Sequence, residues 1–261
     1  TVQYSFGVKY AMTENYSVDF SGYFKDEFDK INSYPVQIGG LTRQQYRNAD
    51  YGRSRGIEVV LDKRGGGYVN GEISYTYAFA YGKASQTNQN YLSDFLLSRD
   101  PLSEAALDND IRHSLKVALD MYIPNTVKPK LFGIPIANAW SVSLQAVIES
   151  GKPFTPTSAY PGIATDVGES IERNSLRYPA TAVFDIRFTK EFKFVGLDYS
   201  FILWVKNVFN SQNVVYVYPA TGRADTQQNV DQVIKGGTPY DSNPADWDYG
   251  RQVIFGIEVS L

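Results

Sequence analysis

Residues 69–81 read Val-Asn-Gly-Glu-Ile-Ser-Tyr-Thr-Tyr-Ala-Phe-Ala-Tyr, and this stretch decides the fold class. Its odd positions from Ile73 to Tyr81 are all aliphatic or aromatic, whereas its even positions from Asn70 to Ala78 are polar or small. A period of two places these two sets on opposite faces of a β-strand. On a helix the same apolar residues would be scattered around the axis, so the stretch predicts an amphipathic strand.

The same alternation recurs along the chain and predicts eight further strands. They cover residues 3–12, 16–25, 53–63, 111–123, 139–150, 180–190, 197–207 and 251–261. Each of these segments has at least ten residues, whereas ordinary globular strands have about five or six. Strands that cross a bilayer need about 9–11 tilted residues. The lengths therefore favour membrane-crossing strands.

The links between the predicted strands differ in length at the two ends of the sheet. Tight links at 13–15, 64–67 and 193–196 alternate with long polar links at 27–51, 82–110, 152–177 and 211–250. The link at 124–138 has a middle length at a place where a short turn is expected. Transmembrane barrels of the outer-membrane type have short periplasmic turns and long extracellular loops. We therefore predict an all-β, antiparallel portion of a transmembrane β-barrel with about nine long amphipathic strands.

The polar faces of the predicted strands carry both acids and bases at regular intervals. Charges of both signs are costly in a dry core, but they suit the wall of a wide, wet lumen. We predict that the following residues face the lumen: Glu58, Glu72, Arg112, Lys116, Asp185, Arg187 and Glu258. A soluble β-sandwich stays open as an alternative, because its strands show the same alternation with their apolar faces packed together.

Composition argues against several classes of protein. The chain has 261 residues, a formal net charge of −3, no cysteine and one histidine. These counts disfavour a nucleic-acid partner, a disulfide scaffold, and metal sites or triads built from histidine and cysteine. No apolar run approaches the roughly 20 residues of a membrane-spanning helix. We predict no catalytic residue, no metal site and no cofactor, and we do not expect an enzyme.

Aromatic side chains in two of the long links are candidates for ligand binding. Tyr160 lies in the link at 152–177, and Tyr240, Trp247 and Tyr249 lie in the link at 211–250. Aromatic residues on loops can stack on a sugar or another flat ligand. The sequence therefore predicts that these four residues contribute to a binding surface.

Five short motifs resemble, in order and spacing, one family of membrane proteins. They are Asn48-Ala49-Asp50-Tyr51-Gly52-Arg53-Ser54-Arg55-Gly56-Ile57-Glu58, Gly71-Glu72-Ile73-Ser74-Tyr75-Thr76-Tyr77, Asp110-Ile111-Arg112-His113, Asn207-Val208-Phe209-Asn210 and the closing stretch 251–261. Together they resemble the TonB-dependent outer-membrane receptors, in the form typical of Bacteroidota-like bacteria. The resemblance extends over nearly the whole chain.

This resemblance implies a 22-strand barrel with an N-terminal plug and a TonB box. The chain shows nine predicted strands and neither of those two features. We therefore expect residues 1–261 to be a single partial β-barrel domain, the C-terminal part of a larger receptor. The implied location is the bacterial outer membrane. The implied partners are outer-membrane lipid, the plug domain of the same full-length chain, TonB through the missing N-terminal part, and a nutrient ligand.

The function implied by the resemblance is energised import of a scarce, bulky nutrient. In such a receptor this chain supplies barrel wall and the loops that capture the ligand. A siderophore, a glycan, a peptide and cobalamin all stay open as the ligand. Two other functions also stay open: a stand-alone outer-membrane porin or adhesin, and a soluble all-β carbohydrate-binding domain.

Overall fold

The computed structural model describes residues 1–88, 104–131, 133–135, 137–156, 172–225 and 243–260. Most of these residues lie in β-strands, and a 3₁₀-helical turn spans Pro244–Asp246. No helix in this described part is long and apolar enough to span a membrane.

The strands form one large antiparallel sheet and small additions to it. In chain order they are β1 (Val2–Ala11), β2 (Tyr16–Ile38), β3 (Leu41–Lys63), β4 (Val69–Gly82), β5 (Ala105–Ala106), β6 (His113–Ile123), β7 (Lys130–Leu131), β8 (Ile134–Pro135), β9 (Trp140–Glu149), β10 (Pro153–Phe154), β11 (Leu176–Arg177), β12 (Thr181–Phe194), β13 (Leu197–Lys206) and β14 (Gln252–Ser260). Nine long strands pair in the order β1-β2-β3-β4-β6-β9-β12-β13-β14. The predicted all-β, antiparallel fold with nine long strands is confirmed.

The large sheet is an up-and-down meander with two edges. Each long strand pairs with the next long strand along the chain. β5 extends the pairing of β4, while β7–β8 and β10–β11 are separate two-stranded sheets. Among the described residues, β1 pairs only with β2 and β14 only with β13. The sheet described here is therefore open.

β2 and β3 form a hairpin that is much longer than the sequence analysis predicted. Both strands have 23 residues, and their pairing runs from Tyr16↔Lys63 to Ile38↔Leu41. The long link predicted at 27–51 is therefore wrong, because the connection is the two-residue turn Gly39-Gly40. These glycines have φ values of 58° and 79°. Positive φ at both positions is what a type I′ hairpin turn requires.

The links at the other ends of the strands are compact, and they define the short-turn end of the sheet. Gly65 and Gly66, between β3 and β4, have φ values of 72° and 64°. Val195 and Gly196, between β12 and β13, have φ values of 51° and 79°. The link between β6 and β9 is longer because it contains the small hairpin β7–β8. The opposite end of the sheet is called the long-loop end below.

Strand register keeps two chemically different faces apart across the sheet. A row of the apolar face runs Val59↔Tyr75↔Leu115↔Ile148↔Ala182. A row of the polar face runs Glu58↔Thr76↔Ser114↔Glu149↔Thr181. Large side chains of the apolar face are uncovered, with Phe6 67% and Phe255 69% exposed. No second large sheet covers this face within the described residues, which argues against the soluble sandwich.

A close approach between Tyr23 and Gly56 explains part of the motif Arg55-Gly56-Ile57-Glu58. The two residues are directly paired across β2 and β3 on the polar face. A Cβ atom at Gly56 would lie 2.8 Å from Cε1 of Tyr23 and 2.9 Å from its hydroxyl oxygen. The tyrosine ring thus fills the space where a side chain of residue 56 would be. Glycine at this position lets an aromatic ring lie across the neighbouring strand.

We predict that Gly56→Val lowers the free energy of unfolding by about 1–3 kcal/mol, because the new side chain overlaps the Tyr23 ring. The measurement is an unfolding titration of the whole protein in detergent. The folded and unfolded fractions are determined from their different mobilities in electrophoresis. Gly256→Val is the matched control on the same face, since a Cβ at Gly256 would lie 3.7 Å from Ile202 Cβ. An equal loss in both variants would contradict the prediction.

Candidate functional site

Six of the seven residues predicted to face a lumen share the polar face of the sheet. Register places Glu58, Glu72, Lys116, Asp185, Arg187 and Glu258 on that face. Serine hydroxyls fix two of the acids on this face. Ser74 Oγ donates to Glu58 Oε1 at 3.1 Å, and Ser114 Oγ donates to Glu149 Oε1 at 3.1 Å. The polar face therefore carries oriented carboxylates, and its exposure to a lumen stays a prediction.

Arg112 departs from the face that strict alternation assigns to it. Its guanidinium carbon lies 4.3 Å from the ring centre of Phe79 and 5.3 Å from that of Tyr81, and both rings belong to the apolar face. The N–H groups of Arg112 and His113 both donate to Ser150 Oγ, at 2.9 Å and 3.1 Å. The Arg112 guanidinium thus lies against rings of the apolar face, so the face predicted for Arg112 is corrected.

A buried carboxylate joins three segments at the long-loop end. Asp110 Oδ1 accepts the N–H of Ala80 at 2.8 Å, and Oδ2 accepts both Arg112 Nε, at 2.7 Å, and the guanidinium of Arg177. The Asp110 side chain has 0% exposure. Arg177 also donates to the carbonyl of Gly151 at 3.1 Å. One acid thus connects β4, the start of β6 and the segment that precedes β12.

The neighbouring residues Arg173 and Asn174 extend this attachment. Asn174 Nδ2 donates to the Ala106 carbonyl at 2.7 Å and to Asp108 Oδ1 at 2.8 Å. Arg173 Nη2 donates to the Gly82 carbonyl at 2.8 Å. Burial lowers the pKa of the Arg173 guanidinium, and the charge of Asp108 acts in the opposite direction. The segment before β12 is therefore held against the ends of β4 and β5.

A second buried polar cluster lies in the extended part of the β2–β3 hairpin. The Asn32 side-chain amide donates to Asp50, and the Tyr34 hydroxyl donates to Asp50 Oδ1 at 3.1 Å. The Ser33 N–H donates to the Thr87 carbonyl at 2.8 Å. Asn32 and Ser33 are almost fully buried. The alternation pattern of the sequence does not indicate this cluster. The Gly39-Gly40 turn is the signal that could have revealed the paired segment around it.

The motif Asn207-Val208-Phe209-Asn210 is the turn that ends β13. Asn207 has a φ value of 50°, and its N–H donates to Asp185 Oδ1 at 2.9 Å. Its side-chain amide donates to the carbonyls of Ser211 and Tyr249, each at 3.0 Å. Asp185 therefore fixes the start of the following loop from its place on the polar face.

Two of the four loop aromatics predicted to bind a ligand lie in the described residues. Trp247 is half-buried and its backbone bridges to Val214, whereas Tyr249 is 79% exposed. Both side chains line an open cleft of about 880 Å³ at the long-loop end. The other two predicted residues, Tyr160 and Tyr240, lie outside the described residues.

A smaller cleft of about 280 Å³ adjoins the first one. It is lined by Glu149 of the polar face, by Lys152 and by Tyr178, whose phenolic pKa is raised by burial. Val215 and Asp248 line both clefts. The two adjoining clefts, from the loop aromatics to the polar face, are together called the path below.

This path offers hydrogen bonding, charge and aromatic stacking to a polar ligand. The acceptors are carboxylates, and Lys152 supplies an ammonium donor. Across the described ranges, no group of three or more His, Cys, Asp or Glu side chains is placed to hold a metal ion.

Comparison with solved structures gives the same architecture. The outer membrane transporter YddB from Escherichia coli matches with a TM-score of 0.60 at 9% identity, over 98% of this chain and 32% of that chain. The FrpB iron transporter from Neisseria meningitidis (F3-3 variant) matches with a TM-score of 0.50 at 15% identity, over 80% of this chain and 27% of that chain. At such identities the likeness shows the fold. The chain spans about a third of the length of these two transporters.

Comparison of the sequence with family models gives a match to "TonB dependent receptor-like, beta-barrel" over residues 1–210. No curated protein sequence matches the chain. The family match begins in β1 and includes the turn at the end of β13, so it covers most of the sheet. The chain therefore belongs to the TonB-dependent receptor-like β-barrel family, whose location is the outer membrane of bacteria.

Proposed function

We propose that this chain forms part of the wall and the ligand-capturing loops of a transporter that imports a scarce, bulky nutrient with energy delivered through TonB. The observation that carries the proposal is the path of two adjoining clefts. It begins at the exposed ring of Tyr249 and ends at Glu149 on the polar face. A ligand bound by the loops thus lies next to polar side chains of the face that we assign to the lumen.

In this proposal the chain is the C-terminal part of the barrel of a longer receptor. The described sheet has two edges, at β1 and β14, and unpaired strand edges favour pairing with further strands. Full closure is the arrangement that removes such edges in a membrane. Additional strands of the same full-length chain would close the barrel, and its plug domain would occupy the lumen.

The two faces of the sheet divide the work of such a transporter. The apolar face contacts outer-membrane lipid, and the polar face meets the plug and the passing ligand. TonB acts on the plug through the N-terminal part of the receptor. The residues of this chain bind and orient the ligand without covalent chemistry. This role is that of a transporter and not of an enzyme. A siderophore, a glycan, a peptide or cobalamin would each fit this role.

The function is tested by uptake of four labelled probes into source cells: ferric citrate, maltoheptaose, tetra-alanine and cyanocobalamin. We expect deletion of the coding sequence to abolish uptake of one probe, and a protonophore to stop that uptake in the parent strain. Uptake that needs the chain but continues after the protonophore would identify a passive pore and overturn the proposal. Unchanged uptake of all four probes in the deletion strain would also count against it.

For the probe that is transported, Tyr249→Ala should raise the apparent Kd for binding to the cells about two- to twelvefold, because a stacking contact of about 0.5–1.5 kcal/mol is lost. Tyr46→Ala is the control, since Tyr46 is also exposed but lines neither of the two clefts. Equal affinities in the two variants would remove Tyr249 from the proposed binding path.

The assignment of the faces predicts a large cost and a small cost for the same substitution at two neighbouring residues of β9. Leu144 lies mid-strand on the apolar face, in register with Leu119 and Ile186. Leu144→Arg should cost about 2–4 kcal/mol on folding into lipid, as charges do near the bilayer midplane. Gln145→Arg, one residue away on the polar face, should cost under about 1 kcal/mol. Folding yields into phosphatidylcholine vesicles measure both, and equal yields would contradict the assignment.

The Asp110 cluster predicts that a substitution of this acid strongly destabilises the long-loop end. Asp110→Asn leaves Arg112 and Arg177 without their buried counter-charge. We therefore expect the free energy of unfolding to fall by about 3–5 kcal/mol. We also expect faster hydrogen exchange in residues 172–177. Asp198→Asn is the control, because its ion pair with Lys193 is exposed and should contribute at most about 1 kcal/mol. Similar exchange in both variants would show that Asp110 does not hold this segment.

A further inference from the structure

Three arginine side chains lie on the apolar face of the sheet, where charges are unexpected. Arg53 and Arg55 are exposed residues of β3 in register with Tyr81 and Phe79 of that face. Arg112 lies against the same two rings, as described above. All three are close to the long-loop end. A surface that contacts lipid thus carries a local group of guanidinium ions.

Two of these arginines, Arg53 and Arg55, border a groove in the apolar face. The groove has a volume of about 870 Å³, and Arg53 and Arg55 lie in its lining. Phe24, Ile57 and Tyr77 supply apolar and aromatic walls. Gly22 opens the groove, because its position in the apolar row carries no side chain. The groove therefore has mostly apolar walls and carries two arginines and one acid, Glu104, in its lining.

The charges around the groove are unevenly matched. Arg53 has two acidic neighbours, Asp26 at 3.7 Å and Glu104 at 3.4 Å. Arg112 shares the single carboxylate of Asp110 with Arg177. Within the described part of the chain, Arg55 forms no ion pair, and its guanidinium carbon lies 4.5 Å from the ring centre of Phe24. Arg55 therefore lacks an anionic partner from the described residues.

The height of Arg55 in the membrane identifies the anion available to it. Arg55 stands eight residues before Lys63, the last residue of β3 at the short-turn end. Eight residues of a strand tilted by about 40° rise roughly 20 Å. The apolar band of such barrels is about 25 Å tall. Arg55 thus lies near the outer boundary of the band, at the level of lipid headgroups.

We propose that this groove binds a lipid of the outer leaflet whose headgroup carries phosphate. The phosphate is held by Arg53 and Arg55, because guanidinium groups form paired, charge-assisted hydrogen bonds with phosphate oxygens. An acyl chain of the same lipid lies over Gly22 and along Ile57. The groove opens on the face that contacts the bilayer, so a lipid reaches it without leaving the membrane. This inference goes beyond nutrient import, since it concerns the opposite face of the sheet.

The test uses the whole protein in phosphatidylcholine nanodiscs that contain a small share of bis-phosphorylated lipid A. Native mass spectrometry then counts the lipid A molecules that the released protein retains. We expect one retained molecule in the wild type and at least about fivefold less retention in the Arg53→Gln, Arg55→Gln double variant. Arg64→Gln is the matched control, because Arg64 is an exposed arginine in a turn at the short-turn end. It should retain lipid as the wild type does.

Three results would overturn the proposal. They are unchanged retention in the double variant, equal retention of lipid A from which both phosphates have been removed, and displacement of lipid A by inorganic phosphate. The last result would identify a phosphate-ion site instead of a lipid site. Folded protein is verified in each variant by its mobility in electrophoresis without heating.

A second variant tests the groove separately from the charges. A Cβ at Gly22 would lie 3.8 Å from the Gly56 carbonyl oxygen and 3.9 Å from Ile57 Cγ2, which are ordinary contacts. Gly22→Leu should therefore fold while its side chain fills the groove. We expect it to lower lipid A retention although all arginines are present. Retention at the wild-type level would show that the acyl chain does not lie where the proposal places it.

Discussion

Every peptide group that crosses the apolar band of a membrane needs a hydrogen-bond partner within the protein, because lipid offers none. The meander meets this requirement by pairing each long strand with the next one along the chain. The ladder between β9 and β12, for example, runs unbroken from Thr181↔Glu149 to Lys190↔Trp140. Continuous pairing fixes the register, and the register sends alternate side chains to opposite faces. The two faces of the sheet, with their separate chemistry, follow from this single requirement.

Beyond the ends of the strands the chain has no such ladder and uses side chains in its place. Asp110 gathers two arginines and a backbone N–H, and Asn207 binds the carbonyls of Ser211 and Tyr249. Asn213 does the same for β12, accepting the Ala182 N–H at 2.8 Å and donating to its carbonyl at 3.0 Å. These attachments lie next to the strand ends. They fix the bases of the loops, while residues such as Tyr249 stay exposed.

The strands and their faces could be predicted from the sequence because alternation is a local property of each segment. The extended β2–β3 hairpin was missed because register shifts on both sides of Lys30 interrupt the alternation, although Gly39-Gly40 is a local turn signal that marks it. The position of the Arg112 guanidinium could not be predicted, since it depends on Phe79 and Tyr81, two rings of another strand. The Asp110 cluster was beyond reach for the same reason, as Arg177 lies 67 residues away along the chain. Trp247 and Tyr249 were identified by residue type alone, but the cleft that they share depends on the fold.

The motif Arg55-Gly56-Ile57-Glu58 shows how one strand serves two environments. Gly56 and Glu58 point to the polar face, where Gly56 accommodates the Tyr23 ring and Glu58 accepts the hydroxyl of Ser74. Arg55 and Ile57 point to the apolar face, where Ile57 lies within the band and Arg55 lies near its outer boundary. With a period of two, each face receives two of the four residues. The proposed phosphate contact of Arg55 gives the first residue of the motif a role that the polar face cannot supply, because its side chain never reaches that face.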